Sequence, residues 1–262
     1  MIETSVKILS NTCIMPNIFL MKFASPAMAA QARPGQFIMV KVSDSMDPSL
    51  RRPFSISNTE KEGVISVLYK VAGRGTLMLS NKRDGEQLSV LGPLGNGFDI
   101  AAPGQHLFIA AGGIGIAPML FLSQKADKNA ITFMAGFRTS DEIIDPALLG
   151  IKQGIAVATD DGSKGYHGWV TGLLEEEIKK QNKSSAHIYA CGPVPMLKRV
   201  SSMAIKYNIP CMVSMETFMA CGLGACQGCI VRAASVLDQI SYLHVCKDGP
   251  VFDINEINWE KI

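Results

Sequence analysis

Several things are scarce in this 262-residue sequence, and each scarcity removes a class of function. Charge is nearly balanced: 25 Lys and Arg stand against 23 Asp and Glu, a formal net charge of +2. No long Lys/Arg block appears, so nothing attracts a phosphate backbone over long range and nucleic-acid binding is not expected. Long hydrophobic runs are missing too. The most apolar stretch, LFIAAGGIGIAPMLFL from Leu107 to Leu122, is interrupted by Gly and Pro and falls short of the roughly 18 apolar residues a membrane helix needs. The opening MIETSVKILSNT lacks the basic, apolar and small-residue succession of a secretory signal, so the expected location is the cytoplasm, without a membrane partner. There is no internal repeat and no low-complexity linker. His106, His167, His187 and His244 are scattered without metal-ligand spacing, no Ser-His-Asp arrangement or nucleophile elbow is visible, and the run Glu175 to Glu177 reads as a solvated helix face.

What the chain has in quantity is cysteine, seven in all. At about 100 to 200 residues per domain, its length favours two domains and a small appendage. A chain this long buries enough surface to fold without disulfide staples. In a reducing compartment, clustered thiols are more often metal-binding or catalytic than paired. Cys221, Cys226 and Cys229 lie in METFMACGLGACQGCIV, Met215 to Val231, as C-x4-C-x2-C, and Cys246 follows after sixteen intervening residues. That is the plant-type spacing of a [2Fe-2S] cluster. A loop wrapped round an anionic cluster needs tight, often left-handed turns, which is the reason offered for Gly222, Gly224 and Gly228 between the ligands. The alternative is a structural zinc site in a non-enzymatic interaction module, although such sites usually show two paired short spacings. Cys13 and Cys211 read as buried small hydrophobes.

The first hundred residues read as β. GQFIMVKVS, RPFSISN, GVISVLYKV and EQLSVL are rich in β-branched or aromatic residues and punctuated by turn formers, which fits a small antiparallel barrel with a short helix near Thr76 to Asn81. From about residue 104 the rhythm changes. HLFIAAG, ITFMAGF, GIAVATD and AHIYACG read as strands and APMLFLSQKA, TGLLEEEIKKQN and MLKRVSSMAIKYN as helices, an alternation that implies βαβ units and a parallel sheet.

Two glycine turns stand at strand ends in this second region. AAGGIGIAP, Ala110 to Pro118, follows an apolar strand and opens a helix, so its amides could face a diphosphate; it departs from G-x-G-x-x-G, and a purely structural turn remains the alternative. ACGPVPM, Ala190 to Met196, is a second such turn, and the two would line one crevice. In the first region, RRPFSISN offers Arg52 to a phosphate and Ser55 to a heterocycle edge, while Gly73 and Gly75 in LYKVAGRGT permit close backbone approach; LGPLGNGF from Leu91 to Phe98 belongs to the same group. An ordinary barrel strand with a surface arginine is the competing reading there.

RPFS, GGIGIAP, CGP and a C-terminal C-x4-C-x2-C…C, in that order, resemble the ferredoxin-reductase superfamily, and more narrowly the electron-transfer subunits of class 1B dihydroorotate dehydrogenases, over essentially the whole chain. The resemblance implies a β barrel plus α/β fold: an FAD-binding antiparallel barrel over 1–102, an NAD-binding parallel-sheet domain over 103–210 and a small [2Fe-2S] domain over 211–262. It implies that Arg52, Pro53, Phe54, Ser55, Tyr69, Lys70, Val71, Gly75 and Thr76 hold FAD, with the arginine at its diphosphate. It assigns NAD to Gly112, Gly113, Gly115, Pro118, Cys191, Gly192 and Pro193, and the cluster to Cys221, Cys226, Cys229 and Cys246. The implied partner is a separate FMN-containing catalytic subunit that oxidises dihydroorotate in pyrimidine biosynthesis, in a heterotetramer of two of each. Electron-transfer subunits of a sulfhydrogenase or a ferredoxin-dependent transhydrogenase share the layout and are the runner-up. Such cofactors carry the hard chemistry themselves, which suits a chain with no acid–base dyad. Arg138, in GFRTSDE, raises the question of a 2′-phosphate, which Asp141 and Glu142 would oppose; NAD is expected.

Overall fold

A computed structural model of the chain describes residues 2–43, 47–126, 128–151, 154–180, 185–234 and 241–262. The N-terminal region begins with a strand that the sequence pattern does not single out, β1 (Ile2–Met15). Alternation puts Val6 and Ile8 in the core and leaves Lys7 exposed, as a half-buried strand requires. Register shifts between Ile8 and Ser10 and between Cys13 and Met15 bend it. Its first half therefore pairs with β7 (Gln87–Leu94) and its second half with β2 (Ile18–Ala24). Beyond β2 lie β6 (Val64–Lys70) and β5 (Asn58–Glu60); beyond β7 lie β3 (Phe37–Lys41) and β4 (Arg52–Ser55). The order β4-β3-β7-β1-β2-β6-β5 makes an antiparallel half-barrel, filled by Met21, Phe23, Ile38, Met39 and Tyr69. Helix α1 (Pro26–Gln31) buries Met28, and α2 (Arg74–Ser80) is the short helix expected near Thr76.

In the second region β8 (His106–Gly112), β9 (Ala130–Phe137), β10 (Ile155–Thr159), β11 (Tyr166–His167), β12 (Ala186–Cys191) and β13 (Cys211–Ser214) form a parallel sheet. Helices α3 (Ile116–Lys125), α4 (Val170–Lys180) and α5 (Val194–Tyr207) cross over between strands. Residues 181 and 182 of the expected helix lie outside the described residues. The sheet order is β11-β10-β9-β8-β12-β13, with β16 (Val251–Asp253) on the far edge. Because β9, β10 and β11 build outward from β8 on one side and β12 and β13 on the other, the winding reverses between β8 and β12. Tyr189 of β12 pins the entry to this region: its hydroxyl donates to the Asp99 carbonyl at 2.9 Å and accepts from the Ala101 N–H at 2.9 Å.

The cysteine-rich segment adds the two-stranded sheet β14 (Ile230–Arg232) and β15 (Tyr242–His244). The chain divides into two compact units: Met1–Gly97 with Glu216–Val231 and Tyr242–Val251, and Phe98–Met215 with Arg232–Ser241 and Phe252–Ile262. The four expected ligand cysteines therefore fold in the same unit as the half-barrel. Among the described residues no helix is long and apolar enough to cross a membrane. Cys211 is buried as expected, but Cys13 is exposed: it sits where β1 turns toward β2, its thiol donating to the Met15 carbonyl at 3.2 Å.

Candidate redox centre and nucleotide sites

The backbone between the cysteines turns its amides onto their sulfurs. The N–H groups of Leu223 and Cys226 point at Cys221 Sγ at 3.3 and 3.4 Å, that of Gly224 at Cys246 Sγ at 3.0 Å and that of Cys246 at Cys229 Sγ at 3.4 Å. The loop does this by left-handed steps at Gly222, Gly224 and Gln227, with φ of 72°, 78° and 56°. The expectation for glycine holds at the first two positions. At the third the positive φ falls on Gln227 and not on Gly228, where a Cβ would stand 3.8 Å from Cys226 Sγ, at ordinary contact distance.

The thiols form two contacting pairs, Cys221 with Cys226 and Cys229 with Cys246. Two irons with two terminal thiolates each require that grouping. Electrostatics fits the same assignment. Burial opposes ionisation of Cys221, but the N–H groups of Cys226 and Leu223 outweigh it and lower its pKa. Burial and the neighbouring Cys229 and Cys221 push Cys246 up, with only the Gly224 N–H working the other way. A thiol such as Cys246, whose ionisation its neighbours oppose, is suited to a positive metal centre that supplies the missing counter-charge. The pairs differ in exposure: Cys226 is exposed and Cys221 half-buried, while Cys229 and Cys246 are buried.

The strand Arg52–Ser55 lies next to β3, Phe37 opposite Ser55 and Met39 opposite Pro53. Arg52 and Arg51, the residue just before the strand, divide the labour. Arg51 is locked into the sheet by Glu3, by the Ser89 carbonyl at 2.9 Å and by the Ser89 hydroxyl at 2.9 Å. Among the described residues Arg52 bonds only the carbonyls of Leu50 and Arg51, at 2.8 and 3.4 Å, which leaves much of its five-donor fork for an anion. Gly75 comes to it: a Cβ there would stand 2.9 Å from Arg52 Nε, whereas Gly73 has nothing within 4 Å and is open to an approaching ligand. The structure thus brings Arg52, Gly73 and Gly75 together, a fit for a diphosphate. Ser55 is half-buried beside them in the strand, and Lys70 is exposed. Two candidate side chains are engaged in the fold. Tyr69 is buried, stacks on Phe19, meets Phe54 edge-on and donates its hydroxyl to Asn11 at 3.0 Å. The Thr76 hydroxyl accepts from the N–H groups of Ala72 and Gly73 at 2.9 and 3.1 Å, capping α2.

In the parallel sheet the two glycine turns pack on one another at the ends of β8 and β12, where the winding reverses; ligands of open α/β sheets bind at such points. A Cβ on Gly112 would stand 2.8 Å from Pro193 Cδ, one on Gly192 3.0 Å from the Gly112 nitrogen, and one on Gly115 2.5 Å from the Cys191 carbonyl oxygen. Gly113 differs, with φ of 53° and nothing within 4 Å of its Cα face. Pro118 and Cys191 are buried, so they shape the turn from beneath. This arrangement fits a dinucleotide diphosphate over Gly113. Arg138, at the end of neighbouring β9, is already occupied: its Nε donates to Glu142 at 2.9 Å, its Nη2 pairs with the same carboxylate, and its N–H reaches it at 3.3 Å. No free guanidinium awaits a 2′-phosphate at that position.

Sequence reasoning missed the residues that seat the cysteine loop. LGPLGNGF, grouped with the flavin motif, places Asn96 so that its N–H donates to the Gly249 carbonyl at 2.6 Å and its Nδ2 to the Asp248 carbonyl at 2.8 Å. The aliphatic stem of Lys247 fills the space where a Cβ of Gly224 would lie, and Met39 does the same for Gly222. A glycine pair beside asparagine was the available signal, but nothing in it names the distant partner.

Comparison with known proteins agrees region by region. Three family models match: the oxidoreductase FAD-binding domain over residues 5–98, the oxidoreductase NAD-binding domain over 108–202 and the iron-sulfur cluster binding domain of dihydroorotate dehydrogenase B over 216–258. The dihydroorotate dehydrogenase B (NAD(+)) electron transfer subunit of Desulforamulus reducens is 38% identical over 258 residues, 97% of each chain. That of Caldanaerobacter subterraneus subsp. tengcongensis is 37% identical over 255 residues, 97% of this chain and 98% of the relative. Among solved structures, one of an NADH-dependent reduced ferredoxin-NADP oxidoreductase superposes with a TM-score of 0.84 at 30% identity, covering 97% of this chain and 90% of that one. A ferredoxin NADP+ reductase from Neisseria gonorrhoeae superposes at 0.66 with 17% identity over 78% of this chain and 91% of that one, a likeness of fold. With FAD-, NAD- and cluster-binding regions in that order, the chain belongs to the family of dihydroorotate dehydrogenase B (NAD(+)) electron transfer subunits.

Proposed function

We propose that the chain relays electrons from the FMN of a dihydroorotate-oxidising partner subunit, through its [2Fe-2S] centre and FAD, to NAD. The observation that carries this is the pairing of Cys221 with Cys226 and Cys229 with Cys246 under inward-facing amides, in one compact unit with the Arg52–Ser55 strand. Bound FAD supplies the exchange between hydride and single-electron chemistry. The chain's own residues bind and orient. Arg52 holds the FAD diphosphate against Gly75, with Pro53, Phe54 and Ser55 along the flavin and Tyr69, Lys70, Val71 and Thr76 shaping the facing backbone. Gly112, Gly113, Gly115 and Pro118, with Cys191, Gly192 and Pro193, hold NAD. We assign residues 1–102, 103–210 and 211–262 to these three tasks, in a cytoplasmic heterotetramer with two copies of each subunit.

The less buried Cys221–Cys226 pair is the side of the cluster that faces the partner. Phe218, three residues before it and 98% exposed, is the apolar anchor, with Met219 half-buried beside it and Met215 withdrawn into the core. Phe218→Asp is expected to weaken assembly while leaving NADH oxidation by artificial acceptors intact; unaltered co-elution of the two subunits would reject this surface.

Anaerobic co-purification with a visible spectrum and analysis for iron, sulfide, FAD and FMN tests the whole. Dihydroorotate-dependent NAD reduction by the recovered complex is expected, and a colourless zinc protein would end the reading. The 0.84 superposition on the ferredoxin-linked oxidoreductase supports one second reading, a different partner subunit. A complex that reduces NAD with ferredoxin and ignores dihydroorotate would decide for it.

A further inference from the structure

The cysteine loop is attached to the half-barrel at two places in the same compact unit. One is polar: Asn96, just beyond β7, holds the Lys247–Gly249 backbone on the Cys246 side. The other is apolar and lies on β3, the strand between β4 and β7. Met39 faces Pro53 of the Arg52–Ser55 strand in register on one side and Leu91 of β7 on the other. Its side chain is fully buried and reaches the residue that follows Cys221: a Cβ on Gly222 would stand 2.6 Å from Met39 Cγ and 3.0 Å from its Sδ. A left-handed φ of 72° favours glycine there, and the thioether chain would have to shift for any larger residue. Met39 thus packs the strand next to the flavin motif against Gly222, the residue that follows the expected ligand Cys221.

We propose that Met39 is the positioning residue that seats the cluster against the flavin strand and so sets how fast electrons cross between the two centres. This rests on β4 being the FAD strand. In the step concerned, the reduced flavin loses one electron and the oxidised iron pair gains it; no bond forms or breaks between them, and any proton released goes to solvent. Close packing is what holds such a spacing, because a gap beside a buried side chain lets its neighbours shift.

The test mixes FAD- and cluster-loaded protein anaerobically with NADH and follows two signals, flavin bleaching for the hydride step and the reduced cluster's EPR signal after freeze-quenching for the electron step. Met39→Ala is expected to leave flavin bleaching unchanged and to slow appearance of the cluster signal roughly tenfold, since displacement by about 1 Å is costly where geometry sets a rate. Met39→Leu conserves volume without sulfur and is expected to stay within about twofold of wild type. Wild-type cluster reduction in a Met39→Ala protein with full iron and flavin content overturns the proposal. So does a Met39→Leu protein as slow as Met39→Ala, which would put the effect in the sulfur atom. If Met39→Ala does not retain iron, the smaller truncation Met39→Val decides by the same two signals. Wild-type protein whose flavin bleaches but whose cluster never reduces would sink the relay reading itself, and this proposal with it.

Discussion

The two glycine-rich regions of this chain use the same residue for opposite reasons. In the cysteine loop, Gly222 and Gly224 take left-handed φ, and the space beside them is filled by the side chains of Met39 and Lys247. In the nucleotide turns, Gly112, Gly115 and Gly192 lack such φ values, and Gly115 is blocked by backbone, the Cys191 carbonyl at 2.5 Å from a Cβ. The cluster loop is shaped by conformation and sealed by movable side chains, so it gives way locally. At Gly115 two main chains are in contact and have nowhere to go, whereas Gly112 and Gly192 also meet the side chain of Met196.

That contrast orders the expected effects of adding one methyl group. Gly115→Ala comes first. Overlap with a β12 carbonyl forces apart the strand and turn that form the centre of the sheet, and overpacking of this kind costs about 3 kcal/mol. Thermal denaturation should show a large loss together with loss of NADH binding; a melting temperature unchanged from wild type would break the comparison. Gly222→Ala comes second. The left-handed step costs about 1–2 kcal/mol for a residue with a Cβ, and the Met39 chain must shift. Far-UV CD should stay native while iron content falls, and retention of full iron would show that the loop tolerates what its geometry forbids.

The same contrast explains what was legible beforehand. The cysteine spacing announced the cluster because ligand chemistry is written in residue identity, and the parallel sheet was readable because HLFIAAG and AHIYACG are continuous apolar strands buried on both faces. The long strand β1 was not singled out: its half-buried alternation mixes Glu3, Ser5 and Lys7 with Val6 and Ile8, a weak signal that only pairing with both β2 and β7 resolves. Cys13 was misplaced in the core for the same reason, since its face depends on a register shift beside it. Tyr69 and Thr76 read as ligand residues by motif, yet their hydroxyls serve Asn11 and the α2 cap. Gln227 taking the turn expected of Gly228 shows that a glycine next to a tight turn need not be the residue that makes it. The contacts of Met39 with Gly222 and of Asn96 with Asp248 could not be foreseen, because each joins segments more than a hundred residues apart in the chain.

Gly113→Ala ranks third and sharpens the comparison from within the nucleotide turns. Its φ of 53° costs a residue with a Cβ about 1 kcal/mol, and no atom lies within 4 Å to collide with the new methyl. The fold should survive almost unaltered. The methyl would instead stand on the open face where a diphosphate approaches the backbone, so the KM for NADH is expected to rise roughly tenfold with little change in melting temperature. A fall in stability as large as that of Gly115→Ala would mean that Gly113, too, is held by packing.

The smallest expected effect concerns the one place in these strand ends where charge, and not backbone packing, does the selecting. Glu142 holds Arg138 through Nε and Nη2 and raises its pKa, chiefly through those hydrogen bonds, with Asp160 adding a lesser contribution. Removing the carboxylate charge frees the guanidinium for an added phosphate, but Asp160 and Asp161 follow β10 directly and still oppose a second negative group. One partly offset, solvent-screened charge-assisted bond amounts to roughly a fivefold change. Glu142→Gln should therefore narrow the preference for NADH over NADPH by about that factor, through a lower KM for NADPH and with kcat for NADH held. High salt should shrink the change, because both groups lie at the surface. If Glu142→Gln left the preference untouched while Asp160→Asn altered it, discrimination would belong to the end of β10, and Arg138 would be no more than a surface cation paired to its own turn.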